Sequence, residues 1–413
     1  MLDELIHESF SNKSYFTNPY PLFDELRAHS PVFFSHVIGG WVLTRYEDVD
    51  AVLRNSDNFS SKGRITHLLN QLDVELQPEL ELLHFHFARG LAHSDAPEHR
   101  RLRRLLARAF TPKMIENLRP RIRHITTELI SDLGTKANLL DDLLTPLPAH
   151  VVGELLGSAV QDIPDLIRWA HAINGLYEKG GRISAEKALH AEAMLKEMRS
   201  FVGILIKERK SKKKFGALSG EEDVLSALVM QEDDALTEDE MLSTMVSLFV
   251  AGHETTTHLL GNGMFALLNR PEWFSKMKLD STLIPMVVEE MARFDGSVPR
   301  SWRLTKAETE IGGVRIPAGD LVLPMLAAAN RDERVFENPH EFNPLRDNKK
   351  HLAYGKGVHV CLGAPLARIE AQEALSLILQ HFHNIEFAID PGELSWREDL
   401  ALRGLLELPV RLN

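Results

Sequence analysis

The chain has 413 residues, 44% hydrophobic and 26% charged, the composition of an ordinary globular protein whose length alone predicts two or three domains. Its 47 Lys and Arg against 59 Asp and Glu give a formal charge of −12, which argues against a nucleic-acid binder with a basic face. A single cysteine, Cys361, excludes an intramolecular disulfide and any multi-cysteine zinc or iron–sulfur site. The opening MLDELIHESFSNKSYF is acidic and lacks an apolar core, so it does not read as a signal peptide. The longest apolar stretches, LIPMVV and MVSLFVAG, are too short to span a bilayer. The expected address is the cytoplasm.

In chain order the pattern is mostly helical. PYPLFDELRAH (19–29) predicts a short amphipathic helix, VFF and GGWVLT strands, and 46–55 another helix. Residues 56–92 lack a clean period and predict a loop region with short helices. APEHRRLRRLLARAF (96–110) is a basic amphipathic helix opened by Pro97. Further helices are expected at 113–133, 145–157, 161–176, 184–210 and 222–230. KERKSKKKFG (207–216) is the one sharp charge run and reads as a solvated inter-helix loop. From Thr237 to Pro271 a long helix, apolar nearly all round in its middle, belongs at the centre of the protein. A helix at 281–294 follows, then a hairpin-like β unit at 310–325. Residues 330–360 carry turn formers and little period, which predicts a functional loop. A strong helix from Leu362 and two terminal strands close the chain.

Cys361 sits in AYGKGVHVCLGAPLAR (353–368). A lone cysteine is commonly a small buried hydrophobe. Here Gly355, Gly357 and Gly363 bracket it, as a tightly bending backbone requires, and it falls just before a helix N-terminus, where N–H groups and the dipole favour a thiolate. Two sharper readings follow, a nucleophile with His359 as base or a metal ligand. One thiolate suits haem better than any other metal site, because the macrocycle supplies four ligands of its own.

The stretch Tyr354-Gly355-Lys356-Gly357-Val358-His359-Val360-Cys361-Leu362-Gly363 resembles the haem-binding loop of the cytochrome P450 family, with Tyr354 where a Phe is usual. The resemblance runs over nearly the whole chain in family order and overrides the length prior. It implies one domain, residues 1–413, mainly α with small β-sheets (α+β), and a long central helix over haem b ligated by Cys361. AGHETT (251–256) lies in that helix. HETTTH is no zincin motif, since His253 and His258 are five apart, about 140° around a helix rather than about 40°. A buried Glu254 needs a reason, because an unpaired buried carboxylate is costly. The resemblance implies that Glu254 relays protons, that Thr255 hydrogen-bonds dioxygen, and that Ala251 and Gly252 leave room for it. This pair also separates the chain from the family's peroxide-using branch.

EEMAR places Glu290 and Arg293 at i, i+3, an ordinary helix pair when read alone. The resemblance makes them a structural lock completed by Arg346. It also assigns His99, Arg103, Arg303 and His359 to the haem propionates. Arg100, Arg101, Arg104 and Lys356 become a basic face for a ferredoxin-type or flavodoxin-type electron donor, which fits electrostatic steering in an acidic chain.

The implied activity is monooxygenation: one oxygen atom of O2 inserted into a lipophilic small molecule, with electrons from NAD(P)H through a separate protein, by a monomer that binds neither nucleic acid nor membrane. Epoxidation, ring coupling or dehydration on the same haem is the enzymatic alternative; a haem protein without turnover and a haem-free cysteine enzyme are the others. Substrate contacts are expected from 61–92, 169–182, Leu248, Ala251 and SVPRSW (297–302), including Val298 and Arg300. Arg300 either meets a polar group of the substrate, points to the surface or faces a propionate. The C-terminal tail resembles the polyketide- and macrolide-tailoring branch, which points to secondary metabolism.

Overall fold

The site is built from eight of the helices: α1 (Glu98–Ala109), α2 (Arg119–Ser131), α3 (Pro146–Leu155), α4 (Ile163–Asn174), α5 (Ala185–Lys214), α6 (Glu238–Leu268), α7 (Ile284–Asp295) and α8 (Ala364–His381). The structure, a computed structural model, describes residues 4, 12–177, 183–218, 223–231, 235–398 and 400–413. Helix α6 starts where Thr237 and Glu240 exchange capping bonds, the hydroxyl accepting from Glu240 N and the carboxylate from Thr237 N. That reciprocal cap satisfies two N–H groups the first turn would leave bare. From Thr256 to Leu268 nearly every side chain is buried, because α3, α4, α5, α7 and α8 all pack against this helix. A helix apolar on every face can be stable only there.

Ten strands are present among the described residues: β1 (Val32–Ser35), β2 (Gly40–Leu43), β3 (Phe59–Ser60), β4 (Lys136–Asn138), β5 (Arg303–Thr305), β6 (Thr309–Ile311), β7 (Val314–Ile316), β8 (Leu321–Pro324), β9 (Ile385–Phe387) and β10 (Pro409–Leu412). They form sheets ordered β1-β2-β8-β5-β3, β4-β10-β9 and β6-β7. The main apolar core runs from Tyr15 to Leu412 through all eight helices, and a smaller cluster around Leu43, Val322 and Leu352 lies beside the large sheet. The mainly α architecture with small sheets agrees with the sequence.

Three local expectations change. KERKSKKKFG is no inter-helix loop, since α5 continues to Lys214. Lysines near a helix C-terminus complement its dipole, and Lys213 also caps Val229 O while Lys210 meets Glu238. The helix expected over 113–133 is two, Pro112–Asn117 and α2, because Pro120 lacks the N–H that a continuous helix needs there. The β unit at 310–325 divides: β6 and β7 form the hairpin, while β8 leaves it to pair in parallel with β2. A short helix at Glu272–Leu279 follows Pro271. Among the described residues no helix is long and apolar enough to cross a membrane.

Candidate active site around Cys361 and the middle of α6

The Cys361 loop is held by its own backbone. Cys361 N donates to Tyr354 O at 2.9 Å and Gly355 N to Leu352 O at 2.8 Å. Gly355 and Gly357 both sit at φ +69°, where a side chain is strained. At Gly357 a Cβ would also lie 2.5 Å from Leu53 O, so this glycine lets the loop rest against the helix Tyr46–Arg54. The N–H groups of Gly363 and Ala364 point at the thiol, yet burial outweighs them and pushes the Cys361 thiol up. The helix start therefore does not produce the free thiolate that the sequence suggested. Although deep among protein atoms, the side chain is open on one side. A Cβ on Gly363, two residues on, would meet no protein atom within 4 Å.

Tyr354 packs its ring beneath the Arg368 guanidinium, 4.3 Å from the centroid. Its buried hydroxyl makes no hydrogen bond among the described residues, and burial raises its pKa. Arg368 is fixed by Glu289, which also accepts from His351 at 3.1 Å. Burial would raise the Glu289 carboxyl, but His351 and Arg368 bring it down to about 2.

Beside this loop, basic side chains converge. The His99 and His359 rings meet tilted at 52°, their centroids 4.1 Å apart, and Arg103 Nη1 donates to Val360 O at 2.7 Å. Arg303, the first residue of β5, is buried and donates to Ser301 Oγ and Trp302 O. Arg64 Nε lies 3.4 Å from His93 Nδ1. Burial lowers His359 to about 3, aided by the charges of Arg303, His99 and Arg64. Burial and Arg64 bring Arg303 to about 10, and burial and Arg64 also lower His93. The acid in this group, Asp95, is already bonded to Ser60, Ser61 N and Lys306. A cluster of this kind, positive and short of counter-charge, is suited to an anionic ligand. It also weighs against the nucleophile reading, since His359, brought down to about 3, has little affinity for a proton from a thiol whose own pKa is raised.

In α6 the flanks are buried but Ala251 is exposed and Thr255 half-exposed. The Thr255 hydroxyl donates to Ala251 O at 2.6 Å, leaving its oxygen to accept on the open side. Gly252 does not share that side. A Cβ there would meet Val152 Cγ2 at 2.9 Å, so its missing side chain lets α6 approach α3 rather than making room for a ligand. Glu254 is buried between two elements: His171 Nδ1 of α4 lies 2.8 Å from Oε1, and Arg397 Nη1 lies 3.9 Å from Oε2. Burial would raise its pKa, but His171 and Arg397 hold it below the ordinary range. His253 packs toward Phe249, whereas His258 crowds Gly404, so the two histidines diverge as their spacing requires.

Glu290 accepts from Arg293 at 2.7 and 2.8 Å, from Arg346 at 3.0 Å and from Asn343 N at 2.8 Å. Arg293 donates further to Asn330 O, Pro339 O and Glu341 O. Among the expected pocket residues Leu248 is half-buried on α6, while Val298 packs against the sheet-side cluster. Arg300 is 3% exposed with its guanidinium 4.4 Å from the Trp302 ring centroid, so it does not point to the surface. On α1, Arg100, Arg104 and Arg108 are exposed at four-residue spacing and Lys356 is half-exposed. Arg101 is instead spent within the protein, on Glu98 and on Glu240 of α6. Residues 178–182 of the expected substrate segment lie outside the described residues.

Sequence reasoning missed Arg64 and His93 in the cation cluster and His171 and Arg397 at Glu254. Arg64 and His171 fall within segments expected to contact substrate, but nothing local marks them.

An exposed thiol with the charges of Arg103 and Arg368 acting on it, beside a loop flanked by Arg64 and Arg303, has the make-up that a haem-thiolate site would need. Among the described residues His99 Nε2 is buried without a partner, which fits a bound group that would pair with it there. The Cytochrome P450 family profile matches residues 183–394. Cytochrome P450 monooxygenase PikC of Streptomyces venezuelae is 35% identical over 97% of this chain and 92% of its own length. 6-Deoxyerythronolide B hydroxylase of Saccharopolyspora erythraea is 33% identical over 97% of both. The solved structure of cytochrome P450 CYP109Q5 from Chondromyces apiculatus superimposes with a TM-score of 0.85 at 33% identity, covering 98% of this chain and 97% of that one. The chain belongs to the cytochrome P450 family and is one of its monooxygenases, a family that carries haem and uses O2.

Proposed function

We propose that the chain hydroxylates a lipophilic small molecule of secondary metabolism and that residues 1–413 act as one catalytic unit. The observation that carries this reading is the combination of the one-sided Cys361 loop with the open Ala251–Thr255 face of α6, in a chain aligned nearly end to end with macrolide-tailoring relatives. Haem b would supply the dioxygen-cleaving chemistry when bound. Cys361 would hold its iron, and His99, Arg103, Arg303 and His359, joined by Arg64 and His93, its propionates. Burial makes the thiol costly to ionise, so a cation at the sulfur, together with the N–H groups of Gly363 and Ala364, would be what stabilises it as a thiolate.

On α6 Ala251 keeps its small side chain at the open face, and Thr255, whose hydroxyl proton is committed to Ala251 O, presents an acceptor that would orient a water or hydroxyl there. Glu254 moves protons toward that face from behind the helix. Substrate would lie along Leu248 and Ala251, with apolar contact dominating.

Electrons would come from NAD(P)H through a ferredoxin-type or flavodoxin-type protein docking on Arg100, Arg104, Arg108 and Lys356. Reversing charge in Arg104→Glu should weaken that donor about tenfold, most at low salt, as read by stopped-flow reduction over a salt series. An Arg104→Glu variant reduced like wild type at all salt concentrations would move the docking face elsewhere.

The reading is tested by reducing the purified protein under carbon monoxide. A strongly red-shifted Soret band that Cys361→Ser abolishes is expected, followed by hydroxylated product with reconstituted redox partners. A colourless protein, or a Cys361→Ser variant with an unchanged band, would refute it, and an epoxide or coupled product would replace hydroxylation by that reaction.

A further inference from the structure

Glu254 is sealed in, its side chain 3% exposed, yet the residue touching it, His171, is 65% exposed. We propose that His171 is the route by which protons from bulk water reach Glu254, so that α4 carries a positioning residue of the proton relay; this deepens, and rests on, the monooxygenase reading above.

The groups around Glu254 leave few candidates. Arg397, from the C-terminal segment, lies 3.9 Å from Oε2 and, as a guanidinium, is a donor rather than a proton shuttle. On α6 itself, His258 and His253 are both buried, and burial holds His253 at about 4. His171 from α4 is the group among these whose two ring nitrogens can take up and pass on a proton and which reaches water. Its placement is built in: at the end of α4, Asn174 Nδ2 donates to Val250 O at 3.2 Å, pinning α4 against α6 one turn before Glu254.

The transfer balances simply. Nε2 takes a proton from water as Nδ1 gives its own across the 2.8 Å contact to Glu254 Oε1. No electron moves, and the ring, open to solvent, turns or exchanges with water to restore Nδ1–H once Glu254 has passed its proton on. The attraction of His171 and Arg397 keeps Glu254 ionised at rest, so it holds a proton only in passing.

The test compares His171→Gln, which keeps a neutral donor to Glu254 but carries no proton, with Glu254→Gln in the holoenzyme. In His171→Gln turnover should fall about tenfold, hydrogen peroxide per NADH should rise, the solvent deuterium isotope effect should grow and the alkaline fall of the pH profile should disappear, with thermal stability unchanged. Independently of activity, histidine-selective NMR of the reduced carbon monoxide form should show the His171 ring titrating at lower pH in Glu254→Gln than in wild type. A His171→Gln enzyme with wild-type rate, peroxide yield and pH profile, or a His171 titration indifferent to Glu254→Gln, overturns the inference alone. Loss of the Cys361-dependent carbon monoxide band, or full coupling in Glu254→Gln, would instead overturn the monooxygenase reading beneath it.

Discussion

Glu290→Ala is expected to destabilise the protein by about 3–5 kcal/mol. The carboxylate is 3% exposed and receives both guanidinium groups, Arg293 through two bonds and Arg346 through Nε, together with Asn343 N. Its removal leaves two positive charges buried in a region that cannot solvate them, and such a group costs far more unpaired than the pair contributes. The damage should spread along the chain, since Arg293 also ties Asn330, Pro339 and Glu341, and Arg346 ties Glu337 and Glu341. These are the residues that lead into the Cys361 loop. Chemical denaturation and the carbon monoxide spectrum of Glu290→Ala measure both effects. Glu290→Gln, which keeps acceptor oxygen but not charge, should lie between the two. A Glu290→Ala protein within about 1 kcal/mol of wild type would mean that this network does not hold the loop.

The second large effect comes from Glu370 on α8, 1% exposed with Oε2 lacking a partner among the described residues. Burial raises its pKa to about 8 from an ordinary 4.5. Because the folded state holds this proton more tightly than the unfolded chain, the stability it contributes is fully present below about pH 4.5 and is lost progressively as pH rises to about 8. At about 1.4 kcal/mol per pH unit, wild type should lose about 4 kcal/mol between pH 5 and pH 8 that Glu370→Gln does not lose. Unfolding in guanidinium across that range checks it. Parallel pH profiles for the two proteins would show that Glu370 is already paired or hydrated when folded.

Much of the site could be read from local pattern. The Cys361 loop, the Ala251–Thr256 segment and the Glu290–Arg293 pair each lie within one turn or one helix, where spacing dictates which side chains share a face. Direction across elements was another matter. Arg101 and Arg104 are indistinguishable as sequence, yet Arg101 meets Glu240 while Arg104 is exposed. Gly252 reads like Ala251, but one rotates toward Val152 and the other toward the open face. Arg300 offered three directions, and burial on Trp302 excluded the surface. Even the lysine run at 207–214 misled, because a charge run favours a loop in composition but also stabilises a helix end.

By itself, then, the amino-acid sequence determined the family through the order of its motifs, and also the single thiol with its glycine-bent loop and the Glu254–Thr255 pair in the central helix, because these two are short-range arrangements that backbone geometry imposes on its own neighbours. Only the tertiary structure decided what those groups meet: His171 and Arg397 at Glu254, and Arg64 and His93 beside His359. These partners come from segments far apart in the chain, and their proximity follows from helix packing and burial, which also set the electrostatics of each group.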